Sequence, residues 1–476
     1  MSRAPFPLRR TRDTRGGAAG GGVGADRPAR GGDLSRDSSL RLLFINAHYY
    51  PDVAATAHHL TDLAEFLAAR GHEVHVVTGR GKYEAGKVRA PARETRNGVH
   101  IRRASATTFG RGTVVGRLAD YATFYVQALA ALLGPNRYDG AVVMTTPPLL
   151  SFAARIARTL RGRRYAVWSQ DLHPDAEFAA GMLRATGTLG RLLEWMNGAG
   201  YRGADLVVDL GAYMRQRIAA KGVRPGRSAT IPVWVGRDEL APLDRSSNDL
   251  ARDFGLEGKF VVAYIGNAGV VHDFEAVLDA MRTLRDHPRI HFLFVGDGPQ
   301  RARIERTAAE ERLTNVTFRG YMPREHVRSL YSAADAHLVT LRAPFVGIAV
   351  PTKLYQSMGS GRPVIFVGPA HSESADALTA SGGGAVLDPA EGNAASRLVS
   401  TLQAWESEPG VPAALGARAR EYVLRAHDRD AGCARFEQAL LSIWSAPTSV
   451  RSVTGGDPRR ASSDRELEGE ASLSTH

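Results

Sequence analysis

Two consecutive doubly wound α/β domains are what this sequence predicts. Short β-rich runs alternate with amphipathic stretches from Leu40 onward, the alternation breaks once at a proline-flanked tryptophan, and it then restarts with the same rhythm. A chain of 476 residues is also too long for one ordinary core.

The elements follow in order. "LRLLFINAHYYP" reads as a strand, "ATAHHLTDLAEFLAARG" as a helix with apolar residues at Leu60, Leu63, Ala64 and Leu67, and "HEVHVVTG" as the next strand. That spacing is a parallel βαβ unit. Further strands are expected at "VHIRRA", "YDGAVVMTT", "RRYAVWSQ" and "ADLVVDL", each beside a helix. "VVGRLADYATFYVQALAALL", Val114 to Leu133, is apolar nearly all round. Such a helix is buried or docks on a membrane surface, and burial is expected here because no basic face develops.

"ATIPVWVGRDELAP" is the break, read as the linker between domains. After it come strands at "KFVVAYIGN", "IHFLFVGDG", "NVTFRGY", "ADAHLVTL", "PVIFVG" and "GAVLD". A last helical stretch, Ala413 to Trp444, is interrupted by "HDRDAG". The expected division is an Arg/Gly-rich tail over 1–38, a first domain over 39–230, a second over 231–425, a helix over 426–446 crossing back to the first domain, and a polar tail over 447–476. Ligands of such sheets bind beyond the carboxyl ends of the strands, so the site is expected in the cleft between the domains.

Composition narrows the class. No run approaches the apolar length of a membrane span, no signal peptide is evident, and the single cysteine, Cys433, fits a reducing compartment. A cytoplasmic protein is expected. The net charge of +12 resembles a nucleic-acid signal, but residues 1–38 carry eight Arg and four Asp with little to bury, as a disordered tail does. No specific nucleic-acid partner is therefore expected.

Chemistry concentrates at strand ends of the second domain. "YIGNAGVVHDF" runs from a strand through Gly266, Asn267, Ala268 and Gly269 toward a helix, so backbone N–H groups there can approach a phosphate; a plain tight turn reads the same way. In "FVGDGPQRARIE", Gly296 follows a strand, but the third glycine of a dinucleotide fingerprint is missing. "PTKLYQSMGSGRPVIF" opens a helix with Pro351, Thr352 and Lys353, placing free N–H groups, a hydroxyl and a cation where the helix dipole attracts an anion. Gln356 follows about one turn later, where it can meet a sugar hydroxyl. A helix cap with a snorkelling lysine is the competing reading.

"PTKLYQSMGSGRPVI" resembles the P-x-K-x-x-E-x-M-A-x-G-x-P-V pattern of family 4 glycosyltransferases, which have the GT-B fold. "HYYPDVAATAHHLTDLAEFLAARGHEVHVVTG", "YDGAVVMTTPPLL", "SQDLHPDAEFAAG", "YIGNAGVVHDFEAVLDAM", "FVGDGP" and "NVTFRGYMPREHVRSLYSAADAHLVTL" look like the same family, from about Leu40 to Trp444. The nearest subgroup resembles transferases of surface-polysaccharide and cell-envelope assembly. The resemblance implies two Rossmann-like domains facing a cleft, with a nucleotide-diphosphate sugar on the second domain. It implies transfer to an acceptor hydroxyl with the anomeric configuration kept, a lipid-linked or polysaccharide acceptor, no metal, and no cofactor beyond the donor. An acceptor carried on lipid would bring the protein to the inner membrane face as a peripheral partner.

Residue by residue, the match puts the diphosphate near Lys353, Thr352, and the turn of Gly266, Asn267 and Gly269, with Gly296 lining the cleft and Arg342 as a second cation. Arg319 and Tyr321 fall where the family reads the base, and Gln356 where a carboxylate usually holds the ribose. Asp171 and His173, just after "YAVWSQ", are the candidates to orient or deprotonate the acceptor. Asp428-Arg429-Asp430 reads as a helix cap rather than a metal site. The sequence departs from the pattern at Ile348 and Gln356 in place of two glutamates, at Asn267 and His272 where an Arg and a Lys are usual, and at Ala54-Ala55-Thr56 in the first loop. Two alternatives remain open at this point: a nucleotide-sugar enzyme of the same fold such as an epimerase, and a binding protein with a degenerate site.

Overall fold

The computed structural model describes residues 39–52, 54–79, 90–104, 114–244 and 248–445, with the backbone alone for 114–120 and 324. Both expected disordered tails lie outside the described residues.

Eight strands form the first sheet: β1 Arg41–Ile45, β2 Glu73–Gly79, β3 Arg93–Arg96, β4 Val99–Ala104, β5 Gly140–Met144, β6 Tyr165–Trp168, β7 Leu206–Asp209 and β8 Ser228–Thr230. Their order is β3-β4-β2-β1-β5-β6-β7-β8, parallel except for β3. Helices α1 Ala55–Ala69, α2 Val114–Leu133, α3 Leu150–Arg161, α4 Asp175–Ala179, α5 Thr188–Arg202 and α6 Ala212–Ala220 make the crossovers. β1, β5, β6 and β7 are buried almost throughout, which only a sheet covered on both faces requires.

The second sheet has six parallel strands: β9 Phe260–Ile265, β10 Ile290–Val295, β11 Val316–Arg319, β12 Ala336–Thr340, β13 Val364–Val367 and β14 Gly384–Leu387, in the order β11-β10-β9-β12-β13-β14. Around it lie α7 Asp249–Asp253, α8 Glu275–Thr283, α9 Pro299–Glu310, α10 Val327–Ser332, α11 Thr352–Gly359, α12 Glu373–Ser381, α13 Ala394–Ser407 and α14 Gly410–Ala426. In both sheets the order reverses beside the first strand, between β1 and β5 and between β9 and β12. Ligand crevices form at such switch points.

The last helix, α15 Arg429–Trp444, packs on the first sheet. Its buried Cys433, Phe436, Leu440 and Trp444 share a core with Leu42, Phe44 and Val142. Phe436 meets the Trp168 ring edge-on at 4.8 Å, and Trp168 stacks on Trp234 at 5.5 Å. Glu437, also buried, accepts hydrogen bonds from Arg70 and His72, while His72 Nδ1 accepts the Leu40 N–H at 3.0 Å. The Arg-Gly-His-Glu run thus serves as a seat for α15. Val235 of the linker pairs with Asp428 between α14 and α15, so the two crossings run side by side. Asp428 caps α15, its carboxylate accepting the Ala431 N–H at 3.0 Å.

Two expectations change. α2 is not buried all round: Phe124, Ala128 and Leu132 face the core while Val126 is 68% exposed. Four-residue spacing puts one stripe inward, and neighbouring helices cover only that stripe. β3 is unforeseen because "RETR" has no apolar residue; it is held as a hairpin by Asn97-Gly98, both at positive φ.

Candidate active site

The crevice of the second sheet is built on three strand ends. After β9 the chain turns through Gly266 to Gly269. Gly266 has φ +118 and its N–H donates to Val295 O at 2.8 Å. Gly296, after β10, lies against this turn: with φ +128, a Cβ there would stand 2.2 Å from Gly266 O. A Cβ at Gly298 would likewise stand 2.6 Å from Ala268 O and from Asn267 Oδ1. Gly296 and Gly298 are therefore required by the approach of two backbones, which brings the loops together into one lip of the crevice.

α11 points its N-terminus at that lip. Pro351 is the N-cap residue, one position earlier than the first-turn placement expected from sequence, and Thr352 begins the helix. The Lys353 side chain crosses the crevice. Its Nζ hydrogen-bonds Tyr264 Oη, Asn267 O at 3.1 Å and His272 Nε2 at 3.1 Å, and sits 4.1 Å from the Tyr264 ring centroid. His272 Nδ1 contacts Thr340 O at 2.6 Å as the donor, which leaves Nε2 as the acceptor for the lysine. That bond ties the turn after β9 to the end of β12 across the switch point. Tyr264 in turn donates to Asn267 O at 2.9 Å.

The electrostatics follow from this packing. Burial holds the Lys353 amine well below its ordinary range, and no carboxylate is among its hydrogen-bond partners. Burial, reinforced by the neighbouring lysine, holds His272 well below the usual imidazole range, and burial pushes the Tyr264 phenol up. A buried amine with only neutral hydrogen-bond partners, set at the N-terminus of α11 beside the Gly266–Gly269 turn, is suited to an anion.

The other expected donor residues surround this centre. The Arg342 guanidinium donates to Val270 O at 3.2 Å and lies over Phe345, beside the exit of the Gly266–Gly269 turn. Gln356 accepts the Tyr331 phenol at 2.8 Å, which orients its amide and leaves the NH2 end to donate. The Arg319 side chain turns away over Phe254 at 4.9 Å, while its carbonyl accepts the Gly296 N–H at 3.1 Å. Tyr321 is 40% exposed.

In the first domain Asp171 and His173 follow β6. The Asp171 N–H bonds Thr145 Oγ1 at 3.2 Å, and burial raises its carboxyl. His173 Nδ1 is 2.8 Å from the Glu177 carboxylate, one helical turn on. Burial opposes a charge on His173, but Glu177, Asp171 and Asp175 outweigh it and raise the imidazole. Asp175 takes a different partner, Lys221, at 2.6 Å. The two halves meet here: Asp171 pairs with Ala349 as an antiparallel bridge, and the Leu172 N–H donates to Ile348 O at 2.9 Å. Ala349 lies only four residues before Lys353.

Sequence reasoning did not single out Tyr264 or Glu177. Glu177 had a signal, the i, i+4 spacing from His173. Tyr264 had none, since it reads as one more apolar strand residue. Among the described residues, no group of three or more His, Cys, Asp or Glu side chains is placed to hold a metal.

Comparison with known proteins bears on both domains. Residues 55–234 match the model of a glycosyl transferase 4-like domain, and residues 259–402 that of glycosyl transferases group 1. The chain is 25% identical over 351 residues to the putative colanic acid biosynthesis glycosyl transferase WcaI of Escherichia coli, covering 70% of this chain and 84% of that protein. Among solved structures it resembles sucrose-phosphate synthase of Thermosynechococcus elongatus, with TM-score 0.67 and 18% identity over 86% of this chain and all of that one. It also resembles Anabaena HepE in complex with UDP and glucose, with TM-score 0.63 and 16% identity over 85% of this chain and all of that one.

Proposed function

The chain belongs to the family 4 glycosyltransferases of the GT-B fold, enzymes that act on nucleotide sugars, and we propose that it moves a sugar from a nucleotide-diphosphate donor to a hydroxyl of a glycan or lipid-linked acceptor, with the anomeric configuration kept and without a metal or other cofactor. The observation that carries the donor half is Lys353, held between Tyr264, Asn267 O and His272 at the N-terminus of α11. HepE, of the same fold, binds UDP and glucose. The colanic acid name of WcaI supports a polysaccharide as the acceptor.

The donor diphosphate lies between the Gly266–Gly269 turn and the free N–H groups of Thr352 and Lys353. As the glycosidic bond lengthens, negative charge grows on the β-phosphate, and Lys353 with these N–H groups stabilises it in place. Arg342 supplies a second cation from the turn's exit. Gln356 donates to the ribose, and the loop of Arg319 and Tyr321 reads the base. On the acceptor side, His173 and Asp171 orient the attacking hydroxyl; Glu177 keeps the imidazole in one orientation, and the raised Asp171 carboxyl can hold the released proton.

Titration calorimetry against a panel of nucleotide diphosphates, followed by transfer assays with the matching nucleotide sugars, tests the reading. One base should bind, and the product's anomeric coupling constant should match the donor's. Activity should survive a chelator. Binding of no nucleotide by the folded chain would overturn it, and an inverted product would remove its stereochemical part.

A further inference from the structure

Nine large apolar side chains stand exposed on the described surface, and four of them fall between residues 182 and 195. Met182 is 69% exposed, Leu189 55%, Leu192 51% and Trp195 58%. Leu189, Leu192 and Trp195 recur every three residues along α5, so they share one outward face, and Met182 sits on the turn leading into that helix. Trp195 is propped outward by Phe152 of α3, their rings 5.8 Å apart. Exposed apolar side chains scattered singly need no explanation, but an apolar helix face around a tryptophan does.

Among the described residues, the charges beside it that take part in no ion pair are positive. Arg184 and Arg191 are exposed in the same segment, with Arg155 of α3 exposed alongside. The segment's carboxylates are already engaged: Asp175 and Glu194 with Lys221, and Glu177 with His173. The inner face of the same helix borders the candidate acceptor residues, since Asn197 and Tyr201 line a small cavity with His173 and Thr145.

We propose that the outer face of α5, with Met182 before it, docks this protein on an anionic lipid bilayer, setting the His173 side of the cleft next to the membrane. Tryptophan and leucine enter the headgroup boundary while arginines meet anionic headgroups, as interfacial amphipathic helices do. A second copy of the chain is the less suitable occupant. Four partly exposed side chains on two helical turns fall short of the roughly 800 Å² that each partner buries in a stable protein interface, and arginines facing arginines would repel. The docking does not depend on which donor is used; it extends the acceptor half of the proposed function by giving the membrane a definite face to meet.

Vesicle sedimentation of the full chain tests this, using phosphatidylcholine alone or with added phosphatidylglycerol. Wild type should pellet with the anionic vesicles at least about tenfold more strongly than with the neutral ones. Leu192→Ser with Trp195→Ser should lower pelleting about tenfold or more, and Arg184→Glu with Arg191→Glu should remove the dependence on phosphatidylglycerol. Unchanged pelleting of both variants would overturn the proposal and assign binding to another segment, such as the Arg-rich residues 1–38. Failure of wild type to pellet would also overturn it, as would a wild-type dimer that both variants convert to monomer without an effect on vesicles. Calorimetric nucleotide binding by the same variants should stay at the wild-type level, so a failure of the donor reading is seen separately.

Discussion

Lys353→Met separates an anion site from a capped helix, because the two roles move stability and binding in opposite ways. In the free protein the amine has three hydrogen-bond partners, Tyr264 Oη, Asn267 O and His272 Nε2, all uncharged. Desolvation of the cation is therefore uncompensated, and burial holds its pKa well below the ordinary lysine value. Methionine keeps the apolar stem over Tyr264 and removes the charge. Without nucleotide the variant should be as stable as wild type or gain about 1 kcal/mol, which for domains of this size is roughly 2–4 °C in Tm. The sign with pH is definite: an amine depressed in the folded state contributes stability at alkaline pH that is lost as pH falls through its folded value, and the variant lacks that loss. Binding should move the other way. A charge-assisted phosphate contact contributes about 1.5–3 kcal/mol, so calorimetry should show nucleotide diphosphate held roughly 10- to 150-fold more weakly. Loss of charge stabilisation at the leaving group should lower transfer kcat/KM by about 10²–10³-fold. Wild type should also take up a proton on binding, read as a buffer-dependent heat, because the diphosphate raises the amine's pKa; the variant should not. Nucleotide affinity within about twofold of wild type, or a lower Tm with binding intact, would refute the argument and leave Lys353 as packing.

Other substitutions examine neighbouring parts. Glu177→Gln should lower the His173 pKa, followed by NMR titration of the imidazole, because the carboxylate that raises it is gone. Since that pKa is raised in the folded state, the pair's contribution to stability is fully present below the unfolded histidine value and fades as pH rises through the folded one; the variant should lose this slope. Gly296→Ala should weaken nucleotide binding and reduce stability by about 2 kcal/mol or more in chemical denaturation, since its φ of +128 and the Gly266 carbonyl leave no room for a Cβ. Trp444→Ala should cost about 3–5 kcal/mol in the same assay, because the buried indole on Gly140 anchors α15 to the first sheet.

The fold was legible because both sheets are made of runs that burial on two faces forces to be apolar. β3 escaped, having neither apolar residues nor a buried face; its turn, Asn97-Gly98, was the available sign. In the candidate site, the residues that could be picked out from sequence were those tied to backbone geometry, glycines at strand ends and a Pro-Thr-Lys helix entrance, each of which also reads as a tight turn or a capped helix. What surrounds them was not. His272 was visible only as a neighbour of the turn, and its bond to Thr340 O, 68 residues on, depends on β9 and β12 being adjacent in the sheet, which a crossover topology hides from local pattern. Tyr264 looks like core until Lys353 is seen on its ring. The exposed face of α5 was invisible for a related reason, since leucines and a tryptophan at helical spacing read as core unless no neighbouring element covers them.

The two halves meet through the main chain. The bridge from Asp171 to Ala349, and the bond from Leu172 to Ile348 O, lie between the acceptor residues and the segment that enters α11. Ile348 stands where the family pattern has a glutamate, and its carbonyl accepts the Leu172 N–H at 2.9 Å. Its buried side chain, 2% exposed, fixes that carbonyl through packing with the core around Phe345 and Leu354. The contact made at this position is therefore a backbone one that supplies no charge of its own, so in the proposed mechanism the diphosphate rests on Lys353, Arg342 and the helix N–H groups.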